Sequence, residues 1–125
     1  MTEQDLVLTT RDARGVVTLT LNRPTAFNSL SEAMLAALQR ALDEVAADAS
    51  ARVVLIAAAG RTFCAGHDLK EMRSEPSLAY YQRLFAQCAQ MMLTIQRLPV
   101  PVIARVHGIA TAAGCQLVAM CDLAV

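Results

Sequence analysis

The run Val53-Val54-Leu55-Ile56-Ala57-Ala58-Ala59 constrains this chain more than any other segment. Seven consecutive apolar residues are too few for a helix that buries one stripe. They suit a strand in a mainly parallel sheet with helices over both faces. Parallel neighbours need a crossover, and the preceding segment supplies one. Met34, Leu35, Leu38, Leu42 and Val45 recur at helical spacing between about Glu32 and Asp48, and Ser29-Leu30-Ser31-Glu32 reads as a Ser-x-x-Glu capping box at the start.

Strand signals also precede this helix. Leu6 to Arg11, the turn-rich Asp12-Ala13-Arg14-Gly15 and the β-branched run Val16 to Leu21 predict a β-hairpin, ended by Pro24. Beyond the apolar run, Gly60 to Asp68 reads as a loop. A second helix is expected from about Leu78 to Leu98, with Leu84, Phe85, Cys88, Met92 and Ile95 as its buried stripe. Pro99 and Pro101 stop it, and Val102 to Val106 resumes as a strand. Ile109 to Met120 would enter a helix around Ala112, and Cys121 to Val125 looks like a further strand. The order β-β-α-β-α-β-α-β gives an α/β class, and 125 residues suffice for one domain at most.

Charge and cysteine usage narrow the possible functions. Eleven basic residues balance eleven acidic ones, and the ten arginines are scattered from Arg11 to Arg105, so no stripe suited to a phosphate backbone forms and nucleic acid is not an expected partner. The last apolar stretch is interrupted by Gln116 and Asp122, so no membrane partner is expected. An acidic, polar start (Met-Thr-Glu-Gln-Asp) is unlike a signal or transit peptide, which makes the cytoplasm the expected location. Cys64, Cys88, Cys115 and Cys121 show no Cys-x-x-Cys pairing, so they are read as small buried apolar residues and no metal site is expected.

Two loops carry the chemistry. Phe63-Cys64-Ala65-Gly66-His67-Asp68-Leu69-Lys70-Glu71-Met72 and His107-Gly108-Ile109-Ala110-Thr111-Ala112-Ala113-Gly114-Cys115-Gln116 both follow strands. Small residues allow close backbone approach, and a turn into a helix leaves N–H groups unpaired with the positive end of the helix dipole behind them. Such a place suits an anion or a developing oxyanion. Cys64 and His67 are too close in sequence to define a thiol and base without a third orienting group. Gly60 to Gly66 lacks the Gly-Lys-Ser/Thr ending of a phosphate loop.

These two blocks, with Asn22-Arg23-Pro24, Ala26 and Asn28, make the chain resemble the crotonase (enoyl-CoA hydratase/isomerase) superfamily. The resemblance covers nearly the whole chain but only the N-terminal part, about half, of that family's single acyl-CoA-binding domain. It implies a truncated spiral of ββα units with a mainly parallel sheet, and an acyl-CoA thioester as partner. It implies no separate cofactor, since coenzyme A belongs to the substrate, and a homotrimer or hexamer in the full-length form. By motif position, His67 and Ala113 would donate backbone N–H groups to the thioester oxygen as an enolate forms. Ala26, Ala65, Asp68 and Leu69 would line the adenine and pantetheine path, and Lys70 would sit near the nucleotide phosphates. Lys70 fits equally well as a solvated charge at a helix start. His107 and Asp122 read as structural.

Gln116 departs from the pattern, because hydratases of this family place there one of two catalytic glutamates, the second lying beyond Val125. A neutral amide can hold a water but takes up no proton at ordinary pH. The resemblance therefore leaves two functions open: an enoyl-CoA hydratase or isomerase type of enzyme, or a non-catalytic acyl-CoA binding or interaction protein. A third reading is a truncated product whose exposed sheet and helix faces associate and which binds CoA thioesters poorly.

Overall fold

A computed structural model describes residues 5–125. Strand β1 (Val7–Arg11) and strand β2 (Val16–Leu21) form the expected antiparallel hairpin, with Leu8 opposite Thr20 and Arg11 opposite Val17. Its turn is tied by the Asp12 carboxylate, which accepts from the backbone N–H groups of Arg14 and Val16. Helix α1 (Glu32–Ala46) then crosses to strand β3 (Val53–Ala58), which lies parallel to β2. Helices α2 (Leu69–Ser74) and α3 (Leu78–Arg97) lead to β4 (Val102–Ala104), and α4 (Ala113–Met120) leads to β5 (Leu123–Ala124). The five strands lie in sequence order, parallel from β2 onward, so the rung Leu19, Ile56, Ala104, Ala124 runs across four of them.

One face of this sheet is buried. Val17, Leu19, Leu21, Val54, Ile56, Val102 and Ala104 share a core with Met34, Leu35, Leu38 and Leu42 of α1 and Leu84, Met91, Met92 and Ile95 of α3. At about 25 cal/mol per Å² of apolar surface removed from water, this face is the main stabilising term. The opposite face differs from the reading of a strand covered on both sides: Val53, Leu55 and Ile103 are only half-buried.

Local departures have physical causes. The helix cap is Ser31, whose hydroxyl accepts from the Met34 N–H at 3.1 Å, and not Ser29. Leu30 is drawn into an extended bridge with His67, so helical geometry begins after it and Glu32 becomes the first helical residue. Phe85 stays 48% exposed although it was expected in the buried stripe of α3, while Tyr80 and Met91 are buried. Helix α2, which the expected element order did not count separately, supplies the helix start read for Lys70; the Asp68 carboxylate caps it by accepting from the Glu71 N–H. Cys115 is exposed and Cys121 half-buried, so the reading of all four thiols as buried holds only for Cys64 and Cys88. Among the described residues, no helix is long and apolar enough to cross a membrane.

Candidate active site

The two chemical loops meet at the carboxyl ends of β3 and β4. Phe63 and Cys64 both donate their N–H to the Ile109 carbonyl, at 2.9 and 3.0 Å, and the Cys64 carbonyl accepts from Thr111 at 3.1 Å. This zips the loops together as a parallel bridge between Cys64 and Ala110. Gly114 completes the join, because a Cβ there would lie 2.1 Å from the Cys64 carbonyl oxygen. His107 has the structural role expected of it, its Nε2 bonding the Gly60 carbonyl at 2.6 Å. Asp122 likewise ties β5 to β4 by accepting from the Val102 N–H at 2.8 Å.

Asn28 organises the first loop from below. It is fully buried at a φ of 53°. Its Nδ2 donates to the carbonyls of Ala59 and Thr62, and its Oδ1 accepts from the Arg23 N–H. The neighbouring backbone holds the rest, with Ala65 donating to the Phe27 carbonyl and Leu30 donating to that of Gly66. Asp68 accepts from Arg23 at 3.0 Å, and the Glu71 carboxylate accepts from the Glu32 N–H at the start of α1.

The result is a cleft of about 360 Å³ lined by His67, Phe85, Cys88, Ala89, Ala113 and Gln116. Neither the His67 nor the Ala113 nitrogen has a hydrogen-bond acceptor among the described residues. The two are near neighbours: a Cβ built on Gly66, the residue preceding His67, would lie 3.2 Å from the Ala113 nitrogen. Ala113 is the first residue of α4, so the positive end of that helix backs its N–H. The His67 ring packs 5.3 Å from Phe85, and its Nδ1 is buried without a partner. Burial pushes the imidazole below its ordinary 6.5, outweighing the Leu30 backbone and the Glu71 charge, which favours its neutral form. Burial likewise pushes the Cys64 thiol up to about 11, which removes the thiolate that a nucleophile would require.

The other residues of interest lie elsewhere. Leu69 and Lys70 border an open groove of about 450 Å³ with Arg73 and Ser74. Asp68 lines a third hollow with Arg23, Ser31 and Glu71, its carboxylate already engaged as cap and ion-pair partner. Ala26 lies in the 3-10 turn Pro24–Ala26, next to the Phe27 carbonyl that holds Ala65. The cleft wall formed by Phe85, Cys88 and Ala89 was missed: helical period assigns a residue to a face without saying which face borders a cleft. Among the described residues, no group of three or more His, Cys, Asp or Glu is arranged to hold a metal.

Comparison with known proteins places this geometry in a family. A sequence model described as enoyl-CoA hydratase/isomerase matches residues 11–125. Enoyl-CoA hydratase domain-containing protein 3, mitochondrial, from Xenopus laevis is 48% identical over 111 residues, 89% of this chain and 38% of its own length. The Homo sapiens protein of the same name is 44% identical over 115 residues, 92% of this chain and 38% of its own length. The crystal structure of an enoyl-CoA hydratase from Mycobacterium smegmatis is 73% identical with a TM-score of 0.94, covering 95% of this chain and 46% of that one. This chain thus spans less than half the length of each of these three relatives. The names of the frog and human proteins place them in mitochondria, which overturns the cytoplasmic location expected from the polar N-terminal residues. Matched along nearly all of its length, the chain belongs to the enoyl-CoA hydratase/isomerase family.

Proposed function

We propose that the cleft binds an acyl-CoA thioester and that the backbone N–H groups of His67 and Ala113 hold its carbonyl oxygen while negative charge develops there. The observation that carries this reading is that His67 and Ala113, on two zipped loops, line one cleft and that neither nitrogen has a hydrogen-bond acceptor among the described residues. An unmet donor is costly unless a ligand or water accepts from it, and here the α4 dipole favours an anionic acceptor. One such donor is worth roughly 10²–10³ in rate. Phe85, Cys88 and Ala89 give the acyl group an apolar wall. In this reading Ala26, Ala65, Asp68 and Leu69 line the path of the adenine and pantetheine, and Lys70 reaches the phosphates. Asp68 then acts through its backbone, since its carboxylate is engaged within the fold. Coenzyme A is part of the substrate, no separate cofactor is involved, and the full-length protein works as a homotrimer or hexamer.

Gln116 borders the same cleft and is exposed. It can hold a water through its amide but supplies no proton at ordinary pH. Oxyanion binding therefore outlasts hydration, whose acid–base help is worth on the order of 10²–10⁴ in rate. This favours a second reading, an acyl-CoA binding or interaction protein without hydratase activity. Calorimetry with acyl-CoA and a crotonyl-CoA hydration assay on the full-length protein test both readings. Thioester binding is expected, with hydration about 10²-fold faster in Gln116→Glu. Absence of thioester binding defeats the first proposal. Native hydration that the glutamate does not improve defeats the second reading.

A further inference from the structure

The cleft holds one ionisable side chain that the proposed function uses only through its backbone. Of the six residues that line it, Phe85, Ala89 and Ala113 carry no ionisable group, and the Gln116 amide exchanges no proton at ordinary pH. Cys88 is 4% exposed, and burial raises its thiol, which keeps it protonated. The imidazole of His67 remains, the side-chain type whose ordinary titration range spans neutral pH.

That ring is held in place. Phe85 packs on it at 5.3 Å and 58°, as part of the same cleft wall. Its Nδ1 is enclosed, whereas its Nε2 is neither enclosed nor hydrogen-bonded among the described residues. The charged group acting on the ring is Glu71 of α2; α3 brings Phe85 and Cys88 to the cleft, α4 brings Ala113 and Gln116, and the Leu30 segment offers only backbone. Burial outweighs Glu71 and Leu30, which favours the free base, the form able to accept a proton. In the proposed binding mode the α-carbon of the acyl chain lies two bonds from the oxygen held by the His67 N–H, within reach of a side chain on the same residue. We infer that His67 serves the site twice, its backbone N–H holding the thioester oxygen and its Nε2 taking the α-proton of the acyl chain. This deepens the proposed oxyanion reading and rests on it. The Cα–H bond breaks, its electron pair forms the double bond of an enolate whose charge lies on the thioester oxygen, and the proton makes the ring an imidazolium. Return of the proton to the α-carbon is exchange. Return to the γ-carbon of a β,γ-unsaturated chain shifts its double bond. Neither outcome consumes water, so this proton shift, unlike hydration, needs no carboxylate where Gln116 stands.

The test uses the full-length protein and butyryl-CoA in D2O, with α-proton exchange followed by NMR and affinity measured by calorimetry against free CoA. His67→Gln removes the base and keeps the backbone N–H. Exchange should fall at least about 10²-fold, while the preference for butyryl-CoA over CoA stays within about threefold. Below saturation, the parent rate should rise with pH to a plateau with its midpoint below 6.5, and the variant should lack that inflection. Imidazole added to His67→Ala should restore part of the lost exchange, which a structural role for the ring would not allow. A glutamine variant that exchanges at the parent rate or keeps the inflection overturns the inference, as does loss of exchange that imidazole leaves unchanged. Where neither variant folds, the parent profile decides, and a midpoint above 6.5 or no inflection overturns the inference. A parent that prefers butyryl-CoA to CoA but exchanges no α-proton removes the inference alone. If the parent shows no preference for the thioester over CoA, the oxyanion reading itself has failed and the inference falls with it.

Discussion

The two loops that bear His67 and Ala113 are braced by different means. The His67 loop is held by polar groups: the Asn28 amide, the Arg23–Asp68 pair, and backbone bonds from Ala65 and Leu30. The Thr111–Gly114 turn has backbone bonds from Thr111 to the Cys64 carbonyl and from Gly114 to the Thr111 carbonyl, but it is seated by close contact, with Gly114 against the Cys64 carbonyl and Ala112 against Gly66. A polar brace fails when a partner is removed and responds to pH. A steric brace fails when atoms are added, and pH leaves it unchanged.

Asn28→Ala should break the first brace and have the largest effect. It strands the Arg23 N–H and the carbonyls of Ala59 and Thr62 without their partner in a fully buried place. Each unsatisfied group costs about 1–3 kcal/mol, so the sum, reduced by relaxation, is roughly 4 kcal/mol. Denaturant unfolding followed by circular dichroism measures it. A loss below about 1 kcal/mol would mean that the loop is held by its backbone bonds alone.

Gly114→Ala tests the second brace by addition. The new methyl would meet the Cys64 carbonyl oxygen at 2.1 Å and its carbon at 2.8 Å, both backbone atoms that cannot swing aside. Overpacking of this kind costs about 3 kcal/mol. The same unfolding experiment reads it, and a variant as stable as the parent would show that the two loops slide apart easily.

The difference in bracing explains how much could be read from the residues. The stripe of α1 follows from periodicity and lies in the core as expected, and the apolar run forms β3, of which Val54 and Ile56 lie in the core while Val53 and Leu55 are half-buried. The segments bearing the two proposed donors stand out as glycine- and alanine-rich turns after strands, and the family resemblance then named His67, Ala113 and Gln116 within them. Three features left no such signal. The Arg23–Asp68 pair joins residues 45 positions apart. The shift of the cap from Ser29 to Ser31 depends on Leu30 bridging to His67, a tertiary event that overrides the local Ser-x-x-Glu pattern. Ala112 is a helix-favouring alanine at a positive φ, a conformation its composition argues against, so only the folded backbone reveals it.

The smallest effect distinguishes the two braces most cleanly. Burial raises the Asp68 carboxyl, but the Glu71 N–H, the Arg23 guanidinium and the Lys70 N–H together outweigh it and hold the group below its ordinary 3.8. A folded-state value below the unfolded one means that the unfolded chain binds the proton more tightly. The contribution is complete above the unfolded value and is lost as pH falls through the folded one. The pair is partly exposed, 34% for the arginine side chain and 15% for the aspartate, so its worth is under about 1 kcal/mol. His67 adds to the same trend, because its depressed value makes folding less favourable as pH drops below 6.5. The turn Thr111 to Gly114 carries no titratable side chain. Unfolding free energy measured from pH 7 to pH 3 should therefore fall less steeply in Asp68→Asn than in the parent. Gly114→Ala should follow the parent curve displaced by a constant amount, and a slope altered in Gly114→Ala but not in Asp68→Asn would reverse the assignment of the two braces.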